Sequence, residues 1–284
     1  MSMNEQIAAD AYCKLLASRH YENFVVAGPL VNADLRLHLQ RLYAFCRTTD
    51  DLGDESSGDA LTRLARWRDE VAGLVDGMAP VHPVLIALRE TIAQCHLPAS
   101  PFLDLIEANL MDQTVKSYET WPDLQRYCML SAAPVGRLVL RIFTIYNAET
   151  EKLSDDVCIG LQLANHAQDV TRDRAIGRTY LLQSDIRTSG VAGAVRALCQ
   201  RAIGLLQSGR QLEAVAPYPL RLQLSLYRLG GLAICRRIAA LDYRTDLRRP
   251  SVGGARRCAI LLRAALQSLY RIKETPSAQA LGSR

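Results

Sequence analysis

At 284 residues, 49% of them hydrophobic, the chain is long enough to bury a large core as one or two domains. Leu, Ala and Arg outweigh 17 Gly and 11 Pro, which favours helix over strand, and no apolar run nears the ~20 residues of a membrane span. The net charge of +5 divides unevenly: residues 221–284 hold thirteen Arg or Lys against three acids, so the rest is acidic by about five charges.

The N-terminus lacks a basic stretch followed by an apolar one, so no secretory signal is expected. A helical period then recurs at 4–18, at 33–49 running on into an acidic stretch, and at 59–75, 83–95, 101–116, 123–143, 155–174, 191–214, 220–240 and 255–272. Gly and Pro punctuate these runs at 28–29, 77–83, 97–101, 177–190, 217–219 and 250–254. Asp59 stands where it would cap the third run. No strand-length alternation, internal repeat or linker is visible. The predicted architecture is one all-α domain over 1–284, with a disordered tail from about Lys273.

Eight cysteines stand no closer than 23 residues apart, which excludes C-x-x-C redox and zinc-finger spacing. They read as reduced core thiols of a cytoplasmic protein. The arginines of the C-terminal part alternate with Leu, Ile and Ala and are not interleaved with aromatics. Nucleic acid is therefore not expected as a partner. A rim facing a diphosphate, or an anionic membrane surface touched from the inner face, suits them better.

Two acidic stretches carry the chemistry. Asp50 and Asp54 stand four residues apart, as do Asp169 and Asp173. Like charges at that spacing destabilise a helix by roughly 0.2–0.5 kcal/mol, so each pair suggests a cation between them. Hard oxygen donors without Cys or repeated His point to Mg²⁺. Tyr43, Arg47, Asp50 and Asp54 fall within about 60° of helical arc, and Gln162, Asn165, Asp169 and Asp173 within about 80°. Two such stripes would face each other across a cavity in an otherwise apolar bundle. His166 lies about 40° from Gln162. It either borders that cavity, where imidazole is the usual neutral-pH base, or packs between helices and bonds a backbone carbonyl. Acidic clusters at helix ends are also commonly just solvated, and Arg47 has Asp51 at hand for a plain ion pair.

The run Tyr43-Ala-Phe-Cys-Arg47-Thr-Thr-Asp50-Asp51-Leu-Gly-Asp54-Glu55 resembles the first aspartate-rich signature of the squalene/phytoene synthase family. Gln162-x-x-Asn165-x-x-Gln168-Asp169-x-x-x-Asp173 resembles the second, followed by Gly177-Arg178-Thr-Tyr180-Leu. Tyr127-Cys-x-x-Ser-Ala-Ala-Pro-Val-Gly136 is similar to the helix between them. The likeness spans about residues 10–260 and implies an α-helical isoprenoid synthase bundle around a central apolar cavity. It also implies Mg²⁺-dependent ionisation of an allylic or cyclopropylcarbinyl diphosphate. Asp50, Asp54, Asn165, Asp169 and Asp173 would hold the metal. Arg47, Arg172 and Arg178 would grip the diphosphate, and Tyr43 and Tyr127 would face the cation.

Glu22–Ala27, Pro134–Phe143 and Ala175–Tyr180 favour the hydroxysqualene-forming branch of bacterial hopanoid synthesis. That branch implies presqualene diphosphate made by a partner enzyme, water as the quencher, and no NADPH. No G-x-G-x-x-G follows a strand, in keeping with the last point. Condensation of two prenyl diphosphates remains an alternative, as does a non-catalytic helical protein at a membrane surface. The chain departs from the family pattern at Gly53, expected to end the helix early and leave Asp54 mobile, at Leu130 in place of a tyrosine, and at His166 in place of Phe or Ile.

Overall fold

The computed structural model describes residues 3–19, 31–54 and 59–270. The segment 22–27 and the expected tail from Lys273 lie outside the described residues. The chain runs as helices α1 (Met3–Arg19), α2 (Ala33–Asp54), α3 (Ala60–Val75), α4 (Pro83–Gln94) and α5 (Ser100–Thr114). A short strand β1 (Ser117–Tyr118) follows, then α6 (Trp121–Ser131), α7 (Ala133–Ile142), α8 (Ala148–Gln168) and α9 (Val170–Ala175). Strand β2 (Thr179–Leu182) leads into α10 (Gln183–Ser208), α11 (Arg210–Val215), α12 (Tyr218–Ala239) and α13 (Gly254–Tyr270).

The helical expectation holds, with local corrections. The run at 123–143 breaks into α6 and α7 at Ala132, because Pro134 cannot donate into a continuous helix. The run at 155–174 starts earlier, at Asn147, whose side chain accepts from the Glu149 and Thr150 amides as an N-cap. It is also divided at Asp169. Asp59 sits at the N-cap of α3 without a side-chain bond. The stretch 177–190 is mostly helix, and Gly190 kinks α10 at a φ of 68°. A strand pair was not expected: β1 and β2 form a parallel two-stranded ladder, Ser117 opposite Thr179 and Tyr118 opposite Leu182. Strands this short leave no alternation to read.

Two apolar cores flank the middle of the bundle. One packs α2 against α1, α3, α4, α5 and α7. Phe45 stacks on Trp67 at 5.8 Å and meets Phe102 edge-on at 5.1 Å. Trp67 Nε1 donates to Thr49 Oγ1 at 2.9 Å, one residue before Asp50. These contacts fix the rotation and height of the α2 end. The other core packs α8 against α6, α10 and α12 through Leu163, Ala164, Ala167, Leu198 and Ile238. Arg41, 1% exposed, ties α2 to α1 and α4 through Asp10 and Glu90. Arg228 ties α12 to α11 through Glu213, both buried. Arg41 and Arg228 each have a carboxylate partner, and the third buried guanidinium, Arg221, donates to the Ala216 and Ser268 carbonyls, so that none of the three is left unsatisfied.

Gly53 does not end α2. The helix continues to Asp54, with Gly53 buried where α5 crosses. A Cβ there would stand 2.7 Å from Asn109 Oδ1, and Gln113 Nε2 donates to the Gly53 carbonyl at 3.1 Å. Glycine lets the Asn109 side chain approach this closely, and Asp54 is held in the last turn.

Among the cysteines, 13, 128, 199 and 235 are buried, 46, 95 and 158 partly so, and Cys258 is exposed on α13. All eight are free thiols. No described helix is long and apolar enough to cross a membrane.

Candidate active site

Asp50 and Asp54 come from the last turn of α2, and Asp169 and Asp173 from the α8–α9 junction. All four line one polar cavity of about 380 Å³. The break at Asp169 leaves the spacing intact, since the Asp173 amide still donates to the Asp169 carbonyl at 2.9 Å. Gln162, Asn165 and Tyr127 line the same cavity, and so does Arg178. Gly177, at a φ of 73°, turns the chain back after α9. The Arg178 amide donates to the Asp173 carbonyl at 2.8 Å, and Arg178, just before β2, and Tyr180, within it, reach the cavity wall.

Three predicted residues stand elsewhere. Tyr43 is buried, outside this lining. Arg47, also outside it, pairs with Asp51 one turn on, as its simpler reading had it. Both share the stripe of Asp50 and Asp54, but Tyr43 and Asp54 differ by eleven residues, or about 16 Å along the axis. A common face does not give a common depth. Arg172 is exposed and does not line the cavity.

The structure adds α5, whose Asn109 and Asp112 were not singled out. Asn109 Nδ2 approaches Asp50 Oδ1 at 3.4 Å and donates to the Leu105 carbonyl at 3.1 Å. Asp112 accepts from the hydroxyls of Tyr127 and Tyr180, both at 2.9 Å, with Arg178 Nη1 at 3.7 Å. The signal in the sequence was a third polar stripe, Asn109 and Asp112 at helical spacing, without a paired carboxylate to mark it. Another addition is Arg249, from the loop after α12, whose guanidinium grips Asp169. Gln168 Nε2 anchors that loop by donating to the Pro250 carbonyl at 2.8 Å. The basic C-terminal part thus does reach the acidic rim.

Charge is unbalanced in the cavity. Burial pushes the Asp50 carboxyl up to about 6, with nearby Asp54 and Asp51 adding to the rise. Burial and the neighbouring Asp169 push Asp173 up to about 7, against Arg178. Asp112 is also raised by burial, opposed by Arg178 and the two phenols. Carboxylates held this way take up a cation readily. Among the described residues no three Asp, Glu, His or Cys groups converge to cage one ion. Mg²⁺-like ions do not require a cage, for they commonly bind through one or two carboxylates plus phosphate oxygens and water. Two aspartate pairs on facing walls fit that mode.

His166 lies behind the carboxylates, buried and stacked on Tyr180 at 3.8 Å between ring centres. Burial lowers its pKa to about 3, so the ring is neutral. It packs between elements, but its Nε2 has no hydrogen-bond partner among the described residues, and the ring borders the cavity.

Ser131, Gln162 and Asn165 belong to a second wall as well. Beyond them lies an apolar chamber of about 510 Å³ between α7, α8, α11 and α12. Leu140, Leu161, Leu212, Leu224, Tyr227 and Ile234 line it. A carboxylate mouth opening on an apolar chamber through a polar neck defines a helical enzyme for an amphiphile with an anionic head and a long hydrocarbon tail.

Comparison with known proteins gives the family. The squalene/phytoene synthase model matches residues 17–256, and the chain belongs to that family of isoprenoid synthases. A hydroxysqualene synthase of Rhodopseudomonas palustris is 31% identical over 237 residues, 78% of this chain and 80% of the relative. The crystal structure of a squalene synthase from Alicyclobacillus acidocaldarius is 42% identical at a TM-score of 0.79, covering 85% of this chain and 97% of that one. A dehydrosqualene synthase in complex with ligand shares the fold at a TM-score of 0.82 and 21% identity, covering 96% of this chain and 99% of that one.

Proposed function

We propose that this enzyme converts presqualene diphosphate and water to hydroxysqualene and diphosphate, using Mg²⁺. The carrying observation is the junction of the two cavities at Ser131, Gln162 and Asn165. It sets an acidic mouth with room for a diphosphate and its counter-ions directly against an apolar chamber, which supports a substrate with a long hydrocarbon tail. The named relatives, one a hydroxysqualene synthase and one a squalene synthase, support the same substrate class.

Asp50, Asp54, Asp169 and Asp173, with Asn165, would hold the ions, which supply charge neutralisation of the departing diphosphate. Arg178 donates to its oxygens from the facing wall. Arg249, which grips Asp169 at the rim, would be free to donate to the diphosphate where that carboxylate serves to hold an ion. The carbon–oxygen bond to diphosphate breaks with both electrons leaving on oxygen. The cyclopropylcarbinyl cation that remains rearranges inside the chamber, shielded from bulk water. One water then forms the new carbon–oxygen bond and its proton passes to the released diphosphate or to solvent. The neutral, partnerless Nε2 of His166 is suited to accept a hydrogen bond from that water at the cavity edge.

The test is turnover of presqualene diphosphate with Mg²⁺ in ¹⁸O water, without NADPH. Labelled hydroxysqualene is expected from the wild type, and a larger hydrocarbon share from His166→Phe. Efficient formation of a C30 diphosphate from farnesyl diphosphate alone, or an unlabelled product, would move the enzyme to the condensing branch.

A further inference from the structure

The helix α13 packs on α12 by its small side. Ala264 and Ser268 are buried there, and Arg221 Nη1 donates to the Ser268 carbonyl at 3.4 Å. Its large apolar side chains point the other way. Leu261, Leu262 and Leu266 are 53%, 67% and 68% exposed, and Cys258 is exposed among them. At about 100° per residue, Leu261, Cys258, Leu262 and Leu266 span about 140° of arc. Arg263 lies about 60° beyond one edge of that arc, while Arg257 stands in the first turn of the helix on the side of Ala264 and Ser268. Both arginines are exposed, and the helix carries no acidic residue. In a helix stabilised only by its own domain, the leucines would face α12 and the small residues the solvent. Here the order is inverted.

We infer that α13 is an interfacial helix that seats this enzyme on an anionic lipid surface, its leucines in the acyl boundary and its arginines among the headgroups. A wide apolar arc with a cation at its margin and a basic first turn is a form such helices take. Arginine stems reach from the apolar boundary to phosphate oxygens. The long-range charge agrees in sign, because residues 221–284 carry a net +10 (13 − 3) while the rest of the chain is negative. Leu247, 69% exposed beside exposed Arg248, adds a second apolar and basic pair in the loop between α12 and α13, the loop that also holds Arg249 against Asp169. The proposed surface is independent of which product the enzyme makes.

The experiment is flotation of the full chain with vesicles of phosphatidylcholine, and with vesicles containing one third phosphatidylglycerol. The wild type is expected to float with the anionic vesicles, more at low salt than at high. The variant L261S/L262S/L266S should lose roughly tenfold or more of that partitioning, with helicity and melting temperature unchanged. Arg263→Gln should weaken anionic binding and flatten its salt dependence. If the triple variant unfolds, Leu262→Asp takes its place, since it alters only the centre of the exposed arc. A wild type that stays with the aqueous fraction, or variants that float as well as it does, overturns the inference. So does a wild-type dimer in light scattering that becomes monomeric in the leucine variants without any flotation, which would make the face a contact between two copies.

Discussion

Asp173 is a carboxyl that the fold holds well outside its ordinary range. Its carboxyl is raised from 3.8 to about 7 by burial and by Asp169. The folded protein therefore binds this proton more tightly than the unfolded chain, and stability falls as pH rises from about 4 to about 7. Above that the loss is complete. Full conversion at about 1.4 kcal/mol per unit overstates a group still half-open to solvent, so about 1–2 kcal/mol is expected. Asp173→Asn should accordingly melt a few degrees above the wild type at pH 8 in chelator, and the two should converge at pH 4.5. Mg²⁺ with inorganic pyrophosphate should reverse the order at pH 8, because only the wild type gains the bound ions. Thermal melts across pH, with and without those additions, check both halves. A variant that melts lower at pH 8 without metal would show Asp173 to be paired with Arg178 and not poised for a cation.

Between elements, the α2–α5 crossing was the feature the sequence hid. Two carboxylates at i and i+4 are visible in a string of letters because the pattern is local. Gln162 and Asn165 were legible for the same reason. Asn109 and Asp112 acquire their role only when α5 lies across the end of α2, a tertiary fact that their helical spacing alone does not announce. Gly53 was misread for the same cause: as a letter it weakens a helix, while in the fold it admits the Asn109 side chain. Tyr43 and Arg47 share the aspartates' face but lie outside the cavity lining, the one buried and the other paired with Asp51. Gly53→Ala should gain about 1 kcal/mol of helix propensity and lose a similar amount by displacing the Asn109 amide from Leu105 and Asp50. The melting temperature is therefore expected to move by no more than about two degrees. Turnover should fall severalfold as Asp50 loses its orienting amide. Adding Asn109→Ala should relieve the clash without restoring turnover. Full activity in Gly53→Ala would show that the amide has no part in positioning Asp50.

At the scale of the molecule, the proposed function rests on a void that stability alone would not keep. The chamber between α7, α8, α11 and α12 is apolar on nearly every side, and filling it would bury surface at no cost in hydrogen bonds. Gly230 marks the place most open to such filling. It lies inside α12 and lines the chamber, and a Cβ there would meet nothing within 4 Å. Gly136 and Gly231 differ, for a Cβ at either would strike side chains of α8 or α10 closer than 3.0 Å. Gly230→Leu should thus stabilise the enzyme by about 0.8–1 kcal/mol through helix propensity alone, with further gain from packing against the chamber wall. The same side chain occupies the space claimed for the hydrocarbon tail. Turnover of a C30 diphosphate should fall by orders of magnitude, while the shift in melting temperature caused by Mg²⁺ and pyrophosphate stays as in the wild type. Opposite signs for stability and activity, with the anion response preserved, would separate tail binding from head binding. Unimpaired turnover in a folded, stabilised Gly230→Leu variant would place the tail elsewhere in the bundle.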